Sequence, residues 1–269
     1  IMIACLWAAA RRFIGQEAAR GAVLVALGCL GLLVHAHEFQ PAIVHLAATA
    51  ALYWGLALLP EQPRRGGALA GAALGLGFLA VGLPVLITLG PLLLLLPLIW
   101  SRLRTSQGAH GMLAALAVAA RLILIWPLTL YLKDPAAFAA WWTRELAGLK
   151  PGSNVPLSLW NFLQLLSWFA WPALPLAAWT LWKERRRLIE PRTLIPLTSF
   201  VVLLAVQSVF SEPRSLNALP LLPPLILLAA PATLSLRRGA ANAFDWFGMM
   251  TFSLLAGLIW LGWAAMVFG

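Results

Sequence analysis

Long apolar runs separated by short charged turns make up almost the whole chain. Ile1–Ala10 is apolar and about half a membrane span. Arg11–Arg20 is a basic loop, and Gly21–Val34 reads as a short helix. His35–Gln40, HAHEFQ, is a polar turn without Lys or Arg, and Pro41–Leu59 is the next helix, with Pro41 tolerated in its first turn. Glu61–Gly66 turns back, carrying Arg64 and Arg65. Gly67–Trp100 then runs 34 residues without a charge. One span needs about 20 residues, so this run is too long for one and tight for two. Gly82-Leu83-Pro84 is the natural break, giving two pieces of 17 residues.

Charge decides between one pass and two. With two passes, one side holds Arg11, Arg12, Arg20, Arg64, Arg65, Arg102, Arg104, Lys183, Arg185, Arg186, Arg187, Arg192, Arg237 and Arg238, and the other holds only Lys133, Arg144, Lys150 and Arg214. With one pass the later loops flip and the two sides become equal. Cytoplasmic loops of membrane proteins are enriched in Lys and Arg, so two passes are selected.

The rest of the chain then follows. Gly111–Leu132 is a helix with Arg121 inside it, and Lys133–Pro156 is the longest loop, on the outer face. Leu157–Trp182 is one pass kinked at Pro172 and Pro175, whose Trp160, Asn161 and Gln164 suit an interfacial beginning. Lys183–Arg192 is the strongest cytoplasmic marker. Thr193–Phe210 runs outward, Ser211–Leu216 is an outer turn, and Asn217–Leu236 runs in again. Arg237–Asp245 is cytoplasmic, and Trp246–Phe268 is the last pass, with Asp245 as its expected N-cap. The fold class expected is an all-α polytopic transmembrane bundle of about nine spans plus a partial one at the start. Residues 1–269 make one transmembrane domain. The half-span at Ile1 and the stop at Gly269, at the end of an apolar run, suggest a piece of a longer protein.

Composition agrees: 62% of residues are hydrophobic and 10% charged, where soluble domains carry about 25% charged. The net charge of +10 is explained by cytoplasmic loops. No basic stripe with interleaved aromatics occurs in a soluble segment, which excludes nucleic acid as a partner. Cys5 and Cys29 sit in apolar runs and read as packing residues.

Chemistry gathers on the outer face. Glu38, Asp134, Glu145 and Glu212 share it with Lys133, Arg144, Lys150, Arg214, His35 and His37. A phosphorylated ligand and a general base would need these residue types. Glu212-Pro213-Arg214 precedes the proline-rich LNALPLLPPL, where broken helix leaves backbone groups to be satisfied by protein or water. His35-x-His37-Glu38, with His45 one turn into the next helix, is at most a metal half-site, since zinc needs three or four ligands. Otherwise it is a polar turn capping a helix. Arg121 should lie near mid-membrane, needing a partner or a water-filled cavity unless it snorkels. There is no phosphate-binding Gly-rich loop, no Ser/His/Asp pattern and no CxxC. Gly71–Gly77, GAALGLG, is helix-packing composition.

The order of these features resembles the GT-C membrane glycosyltransferases of the protein mannosyltransferase and aminoarabinose transferase type, family 39. The matching pieces are residues 10–48, GAALGLGFLAVGLPVLITLGPLLLLLPL (71–98), WPLTLYLKDPAAFAAWW (126–142), SWFAWPALPLAAWTLW (167–182) and PRSLNALPLLPPLILLAAP (213–231). The resemblance implies a GT-C-like fold in the inner membrane of a bacterium. It also implies a polyprenyl-phosphate-linked sugar as donor and inverting transfer to an acceptor on the periplasmic side. Arg214 matches a basic residue placed near the lipid phosphate, with His37 and Lys133 as further phosphate-binding candidates. Glu38 is the nearest match to an acidic catalytic residue. The family's main catalytic acid lies in a first periplasmic loop, which would precede Ile1. No cofactor is expected, no metal site is assigned, and dependence on a divalent metal is left open. The competing reading is a transporter or flippase for an amphipathic anion, governed by Arg121, and a third is a scaffold without chemistry.

Overall fold

The structure is a computed structural model that describes residues 1–149, 151–236 and 238–268. Lys150 and Arg237, counted above among the loop cations, lie outside the described residues, as do the side chains of Arg102 and Arg238. Every regular element described is helical. In order they are Met2–Phe13 (α1), Gln16–Gly28 (α2), Leu30–His35 (α3), Pro41–Leu58 (α4), Pro63–Val81 (α5), Leu83–Ile99 (α6) and Ser106–Lys133 (α7). Then come Pro135–Ala147 (α8), Val155–Phe169 (α9), Ala173–Lys183 (α10), Pro191–Phe210 (α11), Ser215–Ala218 (α12), Leu222–Thr233 (α13) and Arg238–Phe268 (α14). Pro41, Pro63, Pro135, Pro156 and Pro191 each stand at the first or second helical position, where a missing N–H costs no helical hydrogen bond. Ile1–Thr233 forms one compact unit and Leu234–Gly269 another, which is essentially α14 alone.

Small residues set the register of α4, α5 and α7. A Cβ added at Gly67 would meet the Gly111 carbonyl oxygen, one at Gly71 the Ala115 carbonyl oxygen, and one at Gly75 the Leu122 side chain. The partners climb α7 as the glycines climb α5, so these two helices run parallel. Gly77 faces Ala48 and Gly66 faces Leu59, so α4 and α5 run antiparallel. Two parallel helices need a returning segment between them. The 17-residue α6, roughly 25 Å long at the helical rise, is that segment. The long uncharged run therefore breaks into two helices at Gly82, whose φ is +84°.

Among the described residues five helical segments are long and apolar enough to cross a membrane: α4, α7, α11, Ser215–Thr233 and Asp245–Phe268. A sixth appears if α9 and α10, which meet at a bend of 102°, count as one broken span. The chain is thus a multi-pass membrane protein, while the expected nine spans are not reached on length and composition. The remaining candidates fail for separate reasons. Gly21–Val34 is interrupted at Cys29, where Leu30 N–H donates to the Trp171 carbonyl (3.0 Å) instead of continuing the helix. The first turn of α5 carries Arg64 and Arg65 and its body is rich in glycine, and α6 is short.

Two further expectations are adjusted. Lys133–Pro156 is a loop only in part: Asp134 Oδ1 accepts from the N–H groups of Ala136 (3.0 Å) and Ala137 (2.9 Å), and Pro135 opens α8. Asp245 is not an N-cap, because α14 begins at Arg238 and passes through it. The core centres on α13. Leu222 to Ala230 are all buried, and Gly21 of α2 lies against Ala230 and Thr233.

Candidate functional site

The turn after α11 is built by its own side chains. Ser211 Oγ donates to Gln207 Oε1 (2.5 Å), and Gln207 Nε2 donates to the Asn217 carbonyl (2.9 Å). That carbonyl is three residues before Pro220, which has no N–H to return to it, so a buried amide meets the need created by the proline. Asn217 Nδ2 donates to the Glu212 carbonyl (2.9 Å), and the N–H groups of Asn217 and Ala218 donate to the Arg214 carbonyl (both 3.1 Å). The backbone at Arg214 is thereby fixed. Its guanidinium pairs with Glu212 (2.5 Å), and the two side chains are 74% and 70% exposed. Such a surface pair contributes little, about 0–1 kcal/mol. Its bidentate face therefore yields readily to a stronger anion.

Arg214 stands at a cavity of about 330 Å³ formed where helix ends converge. The start of α4 gives Ala42 and His45. The Gly82 break gives Val81 and Pro84, the end of α8 gives Gly148, and α11 gives Gln207 and Phe210. His45 Nε2 lies 3.0 Å from Thr88 Oγ1, whose own proton goes to the Pro84 carbonyl (2.7 Å). Thr88 must then accept from His45, which places the imidazole proton on Nε2 and leaves Nδ1 an acceptor. Glu145 braces the chain at the Gly82 break: its Oε2 accepts from Leu83 N–H (2.9 Å) at the first residue of α6. A carboxylate at a helix N-terminus is favoured by both the free N–H groups and the helix dipole. A side chain at Gly82 would run into that carboxylate.

The four carboxylates expected on this face all have partners. Glu212 is with Arg214, Glu145 with Leu83 N–H, and Asp134 caps α8. Glu38 Oε1 lies 2.9 Å from His35 Nδ1, and His35 packs against the Phe169 ring with centroids 6.1 Å apart. Glu38 does not line the Arg214 cavity. His37 lines a different space, an apolar groove of about 630 Å³ beside Leu32, Leu33, Ile43 and Val44. Ala42 and His45 face the cavity while Ile43, Val44, Leu46 and Ala47 face the groove, so α4 separates His37 from Arg214. Lys133 is exposed at the C-terminal end of α7 and lines neither. Among the described residues no three His, Cys, Asp or Glu gather as metal ligands, and His45 is engaged by Thr88. Arg121 lies on the exposed side of α7, without an ion pair among the described residues. Reading the sequence missed Gln207, His45 as a cavity residue, and Glu145 as a brace. An amide in the last turn of an apolar helix was the one signal that pointed to Gln207. Nothing local marks Glu145, which lies 62 residues from its partner Leu83.

Residues 1–131 match the family model described as dolichyl-phosphate-mannose-protein mannosyltransferase. The structure is similar to that of ArnT from Cupriavidus metallidurans bound to undecaprenyl phosphate, with a TM-score of 0.70 at 19% sequence identity over 96% of this chain. The fold is that of this ArnT. The chain spans about half of that ArnT, 47% of its length. No curated protein matches the sequence. The likeness in fold to that ArnT thus takes in nearly all of this chain's path.

Proposed function

We propose that this GT-C chain serves a glycosyltransferase that takes a sugar from a polyprenyl-phosphate donor, with Arg214 holding the lipid phosphate. The carrying observation is an Arg with a fixed backbone and a weakly held guanidinium at the mouth of a cavity, in a fold shared with a protein crystallised with undecaprenyl phosphate. In this reading the phosphate displaces Glu212, and Arg214 stabilises the charge that develops as the sugar departs. His37 and Lys133 do not line that cavity and are given no part in holding the phosphate there. Glu38 is the carboxylate that takes the acceptor's proton, oriented by His35. Transfer inverts the anomeric carbon, faces the periplasm and takes place in a bacterial inner membrane.

The test is binding of undecaprenyl phosphate to the full chain in detergent, followed by native mass spectrometry. A hydrogen bond to a charged group contributes about 1.5–3 kcal/mol, so Arg214→Ala is expected to weaken binding roughly tenfold to hundredfold. Arg214→Lys should retain part of it. Unchanged binding in Arg214→Ala, with the wild type binding well, would remove Arg214 from the site.

A further inference from the structure

The turn between α10 and α11 has no part in the function proposed above. It lies at the far end of α11 from Arg214, a helix of 20 residues and so roughly 30 Å away. Lys183, Arg185, Arg186, Arg187 and Arg192 are balanced there by only Glu184 and Glu190. The two glutamates are already taken. Glu184 accepts from Thr193 Oγ1 (2.9 Å) and pairs with Arg192 (3.4 Å). Glu190 pairs with Arg192 (2.9 Å) and sits 3.8 Å from Arg187. No carboxylate among the described residues pairs with Lys183, Arg185 or Arg186. These cations surround a cavity of about 520 Å³.

Arg185 is held in place without being neutralised. Its Nη1 donates to the Trp182 carbonyl (2.9 Å), and its guanidinium carbon lies 5.1 Å from the centroid of the Trp182 ring. The remaining N–H groups of the fork stay available to a phosphate. The apolar surroundings identify the source of that phosphate. Trp182 is 68% exposed and Ile189, at the tip of the turn, is 85% exposed. A soluble phosphate has no use for an exposed indole and an isoleucine beside the cations. A lipid does: the ring belongs at headgroup depth and the aliphatic side chain along the acyl boundary.

We propose that this turn binds the headgroup phosphate of an anionic phospholipid, with Arg185 and Arg186 as donors, Lys183 adding charge, and Trp182 and Ile189 against the lipid body. The experiment offers delipidated full chain in detergent an equimolar mixture of dioleoylphosphatidylglycerol and dioleoylphosphatidylcholine, with bound lipids counted by native mass spectrometry. The wild type should favour phosphatidylglycerol. Arg185→Gln/Arg186→Gln should lower that preference roughly tenfold or more, from the contribution of each basic residue near an anionic surface. Arg186→Gln alone, a change at an exposed side chain, should lower it in part, which keeps the test valid if the double variant folds poorly. Arg64→Gln/Arg65→Gln, at a separate basic turn, should leave it unchanged. An unchanged preference in both Arg186 variants overturns the proposal. So does an equal loss in the Arg64/Arg65 variant, which would mean general surface charge. Displacement of the lipid by millimolar inorganic phosphate also overturns it, because the site would then read free phosphate.

Discussion

Removing the Glu145 carboxylate tests how the cavity is held open. Its Oε2 takes the N–H of Leu83 at 2.9 Å, at the N-terminus of α6 and beside the Gly82 break. A hydrogen bond to a charged group contributes about 1.5–3 kcal/mol, and an anion at a helix N-terminus about 0.3–1 kcal/mol. The bond is only partly buried, so the lower part of the combined range applies, and Glu145→Ala should cost about 2 kcal/mol. Glu145→Gln keeps an acceptor oxygen and loses the charge, so it should cost about half as much. Reversible unfolding in mixed dodecylmaltoside and SDS micelles measures both. Because Val81 and Pro84 line the cavity, Glu145→Ala should also weaken binding of undecaprenyl phosphate although Arg214 is intact. The reasoning fails if Glu145→Ala unfolds within about 0.5 kcal/mol of the wild type, since that is the ordinary effect of a neutral surface change. It fails equally if the Gln variant is as unstable as the Ala variant, because then the oxygen bonded to Leu83 N–H contributes nothing.

Gly71→Val should destabilise by about 1–3 kcal/mol or more, because its Cβ would strike the Ala115 carbonyl oxygen across the α5–α7 contact; the same unfolding titration reads it. Asp134→Ala should cost about 1 kcal/mol by uncapping α8, with Asp134→Asn restoring most of it. Arg121→Leu should insert more favourably by roughly 2.5–3.5 kcal/mol, measured by membrane-insertion efficiency of the α7 segment, and should leave lipid-phosphate binding as it was.

The elements that could be read from the sequence were those whose signals are local. Pro41 marked the start of α4, Gly82 the break between α5 and α6, and GAALGLG a close helix contact. Asp134-Pro135 is also a local helix-start signal, an N-cap followed by proline at the first position. It was overlooked because the charges around it suggested a loop. Cys29 was different. Nothing in GLGCLGLL announces a break there, because the break is made by the Trp171 carbonyl taking the Leu30 N–H. The candidate site divides the same way. Arg214 was legible from its place between a charged turn and a proline-rich span, while the partners that build the site around it come from α4, α6, α8 and α11. Side chains that distant in sequence are brought together by the parallel packing of α5 and α7, which depends on where small residues recur.

The placement of Arg121 bears on the choice between transfer and transport. A transport reading needs that cation in a passage through the bundle, where its charge would meet the cargo. Instead it lies on the exposed side of α7, whose apolar window is only 11% buried, while Gly111, Ala115 and Ala119 take the side packed on α5. An Arg so placed can reach a membrane surface only by snorkelling along its own helix. Arg214, by contrast, meets a cavity, at an end of the bundle where α4, α6 and α12 begin and α5 and α11 finish. An anion held there reaches the surface from one end of the helices only. That geometry suits a lipid phosphate retained while its sugar leaves better than it suits a cargo passed from one side to the other.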